Sequence, residues 1–225
     1  MLVGPMALGA WPAASVSAGT PSVASILRQA QHDMLAAGCV HIGVQVRGAR
    51  PGTVVADIGR SSGRETYRSG TAVVTIRVTP KAAYVGGNAA GLRQLVGLTA
   101  AQERRVGTRF MEMRAGTSQY TGFADNLTVV ALAGMLPHSG GIKLHAAGAH
   151  HVMLSWTGTA SSASATSSTE LTLSIGARVL PEVETSRSGT ERGSTRFSHW
   201  GRVVRVVAPP AGRTISYQAV ARSSS

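Results

Sequence analysis

The sequence predicts an α+β protein in which a curved antiparallel sheet of about ten strands forms a half-barrel, with helices packed on its concave face. Two observations predict this fold class. Apolar residues recur at helical spacing only in short segments, near the N-terminus and in the middle of the chain. Elsewhere, apolar and polar residues alternate between tight turns, which is typical of short antiparallel strands.

The first helix and the strands after it follow from caps and from a change of period. Thr20 and Pro21 predict a helix start, and Gly38 predicts its end. From Cys39 onward the apolar period becomes two, which predicts a half-buried strand up to Arg47. Further strands are predicted at residues 53–57, 64–68, 71–79 and 82–85.

The middle of the chain is predicted to be helical. Asn88–Val96 has helical spacing, and Thr99 with Gln102 forms a capping-box pattern. Asp125 is predicted to cap a helix over Leu127–Leu136. Because that segment is apolar on nearly every side, we expect it to be buried on nearly every side, in the concavity of the sheet.

One short strand is predicted between the middle helices, at residues 109–114. The last third of the chain returns to strands, which are predicted at residues 143–145, 150–156, 170–175, 178–186, 195–197 and 203–207. Residues 146–149 have the length of a four-residue hairpin loop. The chain after Pro210 is expected to be loosely attached.

Three regions are therefore expected. Residues 1–18 form a signal peptide or an apolar tail, with Val16 and Ala18 placed as signal-peptidase sites. Residues 20–210 form a single domain, and residues 211–225 form a flexible tail.

The charge excess favours an anionic surface over nucleic acid. The formal net charge is +12, but the basic residues are scattered singly and no run of five or more occurs. We therefore expect no nucleic-acid partner, contact with a membrane surface through Arg-rich faces, and a monomer.

Enzyme motifs are missing from the sequence. No Gly-x-Ser-x-Gly elbow occurs, and Gly86–Gly91 is followed by Leu-Arg where a P-loop needs Lys-Ser/Thr. Glu182 and Glu184 are two apart and are expected on one solvated strand face, about 7 Å from each other. We predict no enzyme, no catalytic residue and no cofactor.

A metal site is considered and not predicted. Cys39 is the only cysteine, so no cysteine-based zinc site can form within one chain. His145 and His150 bracket the predicted hairpin loop and could face each other closely enough to share a metal. His151 would point to the other face, and only His138 suggests itself as a third ligand.

Several short motifs occur in a recognisable order. Tyr84–Ala89 reads YVGGNA, Leu180-Pro181 opens a late strand, Phe197–Gly201 reads FSHWG, and Ala208–Pro210 reads APP. In order and spacing they resemble the LppX/LprA/LprF/LprG-like envelope lipoproteins of actinobacteria, from about Ser22 to Pro210. The resemblance implies a LolA/LolB-like half-barrel that binds and moves lipid or glycolipid in a hydrophobic cavity.

The resemblance also implies which residues line that cavity. These are Val44, Val46, Val74, Ile76, Leu127, Val130, Leu132 and Leu154. The chain departs from the family at three positions. It lacks the lipobox cysteine, since Cys39 falls in the first strand; His199 stands where Asp is common, and Phe110 where Trp is common.

Two classes of function remain open. The first is an exported lipid- or glycolipid-binding protein of the cell envelope or extracellular space, without a clear lipid anchor. The second is an envelope interaction or sensory module with the same half-barrel and a filled core. A secreted hydrolase would need a nucleophile with a base, and the sequence shows none.

Overall fold

The structure is a computed structural model that describes residues 21–49, 51–137, 141–159 and 166–222. These residues form six α-helices, namely α1 (Val23–Ala37), α2 (Ala89–Gln94), α3 (Ala100–Val106), α4 (Ser118–Ala124), α5 (Val129–Gly134) and α6 (Tyr217–Ala221). They also form twelve strands, namely β1 (Val40–Arg47), β2 (Gly52–Ile58), β3 (Gly63–Ser69), β4 (Ala72–Val78), β5 (Ala82–Gly87), β6 (Phe110–Arg114), β7 (Lys143–Ala146), β8 (His151–Thr159), β9 (Thr166–Ile175), β10 (Val179–Ser188), β11 (Glu191–Ser198) and β12 (Thr214–Ser216).

All twelve strands belong to one open sheet, in the order β12-β6-β5-β4-β3-β2-β1-β11-β10-β9-β8-β7. Two antiparallel meanders, β1–β6 and β7–β11, join where β1 pairs with β11. The predicted α+β fold with a large curved antiparallel sheet is confirmed. The sheet has twelve strands where about ten were expected, and its edge strand β12, which was not predicted, pairs with β6 in parallel.

One face of the sheet carries the core, and we call it the concave face. On β1, Ile42 is buried and lies between Ala56 of β2 and Phe197 of β11, which are also buried. The opposite, convex face carries polar residues such as His41. Core residues from both meanders form one hydrophobic cluster with α1 and α5. A single sheet can share one core between its two halves only if it curls.

Helix α1 packs on this concave face. Its N-cap is Ser22, whose hydroxyl accepts from the backbone N–H of Ser25 at 3.2 Å, and Thr20 lies outside the described residues. Gly38 ends the helix in the left-handed conformation, as predicted. No helix in the described ranges is long and apolar enough to cross a bilayer.

The caps of the middle helices are partly as predicted. The capping box is confirmed, because Thr99 accepts from the Gln102 N–H and Gln102 accepts from the Thr99 N–H. The prediction that Asp125 caps the next helix is wrong. Asp125 ends α4, a helix the sequence analysis did not predict, and Thr128 caps α5 through the N–H of Ala131.

Helix α5 is shorter and less enclosed than expected. Val129 and Ala133 are each 1% exposed, whereas Val130 and Met135 are each 59% exposed. The prediction of burial on nearly every side is therefore wrong. Helix α5 has only six residues, and one apolar stripe of it lies against α1 and the sheet. Its other side is therefore left in solvent.

The end of the chain also differs from expectation. Residues 203–207 do not form a strand. Residues 211–222 are not a loosely attached tail, because β12 pairs with β6 and Val220 of α6 is 1% exposed. The pairing of β12 with β6 and the packing of α6 against α3 and β6 hold this segment in place.

Candidate functional site

An apolar cleft opens on the concave face where α5 lies over strands β8–β11. Its volume is about 200 Å³. The helices contribute Met34 of α1 and Leu132 of α5, with Met135 just after α5. The sheet forms the floor of the cleft, and Leu171 and Phe197 are among the side chains that line it.

The pairing of the strands explains why these side chains converge. Leu154 of β8, Leu171 of β9 and Glu184 of β10 lie opposite one another in a single row across the sheet. In the next row, Trp156 lies opposite Thr169. Because opposite residues of neighbouring strands point to the same face, Leu171 and Glu184 of the first row and Trp156 and Thr169 of the second row all face the cleft.

Glu184 is the acidic residue of this floor. Its half-buried carboxyl lines the cleft beside apolar side chains. Burial raises the pKa of Glu184 above its ordinary value. The cleft therefore offers an apolar wall with one carboxyl group that can donate a hydrogen bond when it is protonated.

A second carboxyl lies on the same concave face of the other meander. Glu65 of β3 stands opposite Ala56 and Ile76, both residues of the core face. Burial raises the pKa of Glu65 as well. Each meander thus places one desolvated glutamate on the face that the helices cover.

The eight residues predicted to line a cavity are not all brought together. The five on strands share the concave face: Val74 and Leu154 are buried, and Val44, Val46 and Ile76 are half-buried. Leu127 is 1% exposed just before α5. Leu132 lines the cleft, and Val130 is turned to solvent on the same helix.

Sequence reasoning missed several residues of the cleft. Met34 belongs to the apolar stripe of α1 and could have been proposed from that periodicity. Trp156 and Leu171 alternate with polar neighbours and also carried a usable signal. Glu184 carried no such signal in the sequence. The face on which it lies depends on an irregularity in β10, and no local pattern predicts that irregularity.

That irregularity separates the two glutamates that were expected on one face. The pairing of β10 with β9 shifts by one residue between Pro181 and Val183. Such a bulge turns the following residues over. Glu182 meets His151 across the strands, with Oε2 3.1 Å from Nε2, while Glu184 points into the cleft. The expectation of a shared face is therefore wrong.

The two histidines considered as metal ligands do not face each other. His145 lies opposite Met153, and its Nε2 is 2.9 Å from the Ser155 hydroxyl. His150 lies in the turn, because β7 ends at Ala146 and β8 begins only at His151. His138 lies outside the described residues. Within the part of the chain that the structure describes, no group of three metal-ligating residues comes together.

Comparison with known proteins gives matches at the level of structure alone. No protein-family model matches the chain, and no curated protein matches it significantly. The crystal structure of LprF from Mycobacterium bovis is similar, at 15% identity and a TM-score of 0.49, over 85% of this chain and 99% of that one. The crystal structure of the Mycobacterium tuberculosis lipoprotein LppX is also similar, at 14% identity and a TM-score of 0.49, over 83% of this chain and 100% of that one. Both belong to the family that the sequence motifs resemble.

Proposed function

We propose that this protein binds an apolar ligand, a lipid or glycolipid, on the concave face of its sheet and belongs to the cell envelope. The observation that carries the proposal is the cleft beneath α5, where apolar side chains from two helices and four strands meet around one carboxyl. Binding sites for small apolar ligands are typically concave and apolar, with a few convergent polar groups.

One side chain at the mouth of the cleft supports a ligand that extends beyond it. Met135 lines the cleft and is 59% exposed. Exposed apolar side chains beside an apolar cleft extend the surface that an acyl chain can cover, and burying them stabilises the complex by about 25 cal/mol per Å². Methionine adapts its shape to different ligands because its side chain is unbranched.

The volume of the cleft limits how the ligand binds. Small-molecule pockets typically measure about 300–1,000 Å³, and this cleft measures about 200 Å³. We therefore propose that only part of an acyl chain enters it, or that α5 moves outward to admit more. The same small volume favours the second candidate, an interaction module with a filled core.

Native mass spectrometry decides between the two candidates. The full chain is purified gently from its own host, measured intact, extracted with organic solvent, and measured again after incubation with palmitate. A stoichiometric lipid, or uptake of palmitate, supports the lipid-binding protein. A clean apo mass that palmitate does not change contradicts it and favours the interaction module.

Two variants of one helix locate the site. Leu132→Trp fills the cleft from α5, and we expect it to abolish the bound mass. Val130→Trp places the same bulk on the solvent side of the same helix and should leave binding intact. Equal loss, or equal retention, in the two variants would place the ligand elsewhere.

Export is part of the proposal and rests on the sequence. Residues 1–18 are apolar, uncharged and end in small residues, as in a signal peptide. They lie outside the described residues. Mass spectrometry of the mature N-terminus tests export: a chain that starts at Gly19 supports it, and a chain that retains residues 1–18 contradicts it.

A further inference from the structure

A second cleft lies on the convex face, on the other side of the sheet from the apolar one. It opens at the start of β1, where segment 199–205 crosses the neighbouring strands, and it measures about 340 Å³. Its ionisable lining residues are His41, Asp57, Arg64, His199, Arg202 and Arg205. Nothing in the proposed lipid site uses them.

The carboxylate in this cleft is already engaged. Asp57 Oδ1 lies 2.7 Å from His41 Nδ1, and Arg64 Nε donates to Oδ2 at 2.7 Å. Burial acts to raise the pKa of Asp57, but the hydrogen bonds from His41 and Arg64 outweigh it and hold the pKa below its ordinary value. Asp57 therefore stays charged at neutral pH and orients both basic side chains.

The remaining guanidinium groups of the cleft have no such partner. Within the described ranges, Arg202 and Arg205 form no ion pair with a carboxylate. Three guanidinium groups and one carboxylate leave the cleft with a net charge of +2 even when both imidazoles are neutral. A planar guanidinium presents paired N–H donors that match two oxygens of a phosphate or carboxylate.

The backbone holds His199 in this cleft at a cost. With φ of 54°, His199 is the one non-glycine residue with a positive φ among the residues described. That conformation costs an L-residue roughly 1–2 kcal/mol. Its ring lies 5.7 Å from the ring of His41, between centroids. Its carbonyl accepts from the N–H of Arg202 at 3.1 Å, which places the arginine segment over the cleft.

We infer that this convex cleft binds a phosphate-class anion, held by Arg202 and Arg205 and flanked by the paired imidazoles of His41 and His199. The ligand is a free phosphate compound or the phosphate of a lipid headgroup. The inference does not depend on the lipid cleft, because the two clefts lie on opposite faces of the sheet.

Inorganic phosphate is the first probe. The full chain is titrated with phosphate at constant ionic strength, with chloride as the balancing anion, and the ring signals of His41 and His199 are followed by NMR. We expect saturable shifts of both rings. Arg202→Gln/Arg205→Gln should weaken binding at least tenfold. His199→Gly, which suits the positive φ and so protects the fold, should weaken it several-fold.

The matched control removes the same charge from the same face. Arg187 and Arg192 lie opposite each other on β10 and β11, exposed, and Arg192 also lies opposite Arg47 at the far end of β1. Six residues of strand separate that end from His41, about 20 Å. Arg187→Gln/Arg192→Gln should leave phosphate binding within a factor of two.

Vesicles distinguish the two sources of the anion. Co-sedimentation is measured with phosphatidylglycerol and phosphatidylcholine in equal parts, and with phosphatidylcholine alone. If vesicle binding requires Arg202 and Arg205 and inorganic phosphate competes with it, the ligand is a headgroup. If only the phosphate titration requires them, the ligand is a free phosphate compound. Absent or non-saturable shifts, or equal weakening in the cleft and control variants, would overturn the site.

Discussion

The carboxylate of Asp33 on α1 accepts a hydrogen bond of 2.8 Å from the backbone N–H of Val179, the first residue of β10. Asp33 is 6% exposed, and the side-chain amide of Gln29 donates to its other oxygen at 3.0 Å. The contact joins the N-terminal helix to the strand that carries Glu184. It thereby fixes one wall of the apolar cleft against the sheet.

Replacing Asp33 with alanine should destabilise the protein by about 1–3 kcal/mol, because the Val179 N–H loses its partner. Burial acts to raise the pKa of Asp33, but hydrogen bonds from Val179, Gln29 and His32 outweigh it and leave the pKa below its ordinary value. The stability that Asp33 contributes is therefore present above about pH 4 and is lost as the pH falls through the folded-state pKa. Urea unfolding at pH 7 and pH 3 measures both effects.

Gln29→Ala is the control for this prediction, since it removes one donor and leaves Val179 paired. We expect it to cost well under half as much as Asp33→Ala. A difference between wild type and Asp33→Ala that persists unchanged at pH 3 would show that the carboxylate is not what stabilises the contact.

The docking of α2 on β4 depends on the absence of a side chain at Gly91. A Cβ at this position would overlap the carbonyl of Val73. We expect Gly91→Ala to cost about 1–3 kcal/mol, as other overpacked substitutions do. Gly122→Ala, in α4, meets no atom within 4 Å and should stabilise the protein by about 0.5–1 kcal/mol. Equal effects in denaturant unfolding would contradict the close contact.

Local patterns predicted the elements of this fold better than their assembly. The alternation of β1 placed Val44 on the core face, and Thr99 with Gln102 marked the start of α3, because periods and caps act over a few residues. The hairpin after β7 was predicted with His145 opposite His150, whereas His145 lies opposite Met153, three residues further along the chain. Such a shift of register changes every opposite pair in a hairpin.

The cleft was harder to predict because it depends on contacts between distant segments. The composition of α5 suggested a buried helix, but its exposure is set by the few neighbours that it meets, so Val130 faces solvent. The bulge at Glu182 reverses the faces of β10, and only pairing with β9 shows it. Leu132 was among the lining residues that the family resemblance implied, whereas Glu184 was assigned to a solvated face.

The C-terminal segment offers a direct test of such an assembled contact. Val220 of α6 is 1% exposed, and α6 packs against α3 and β6. We expect Val220→Ala to destabilise the protein by roughly 1–3 kcal/mol. Gln218→Ala, exposed on the same helix, should change stability by less than about 0.5 kcal/mol. Thermal unfolding that shows equal, small effects would mean that α6 is not held against the domain.

Glu184 should make the stability of the protein depend on pH in the opposite sense to Asp33. Because burial raises the pKa of Glu184, the folded protein keeps this proton to a higher pH than the unfolded chain does. The ionised carboxylate of Glu184 therefore destabilises the folded protein. This loss of stability begins as the pH rises above the unfolded-state pKa of about 4.3 and is complete above the folded-state pKa.

The substitution Glu184→Gln removes that ionisation while it keeps the shape of the side chain. The variant should therefore unfold at a higher temperature than wild type at pH 7.5, and the advantage should shrink on acidification and vanish below about pH 4. Glu182→Gln is the matched control, since Glu182 lies on the other face beside His151 and is 43% exposed. It should gain no stability at pH 7.5. If the gain of Glu184→Gln were the same at pH 4 and pH 7.5, burial of a charged carboxylate in the cleft would not be its cause.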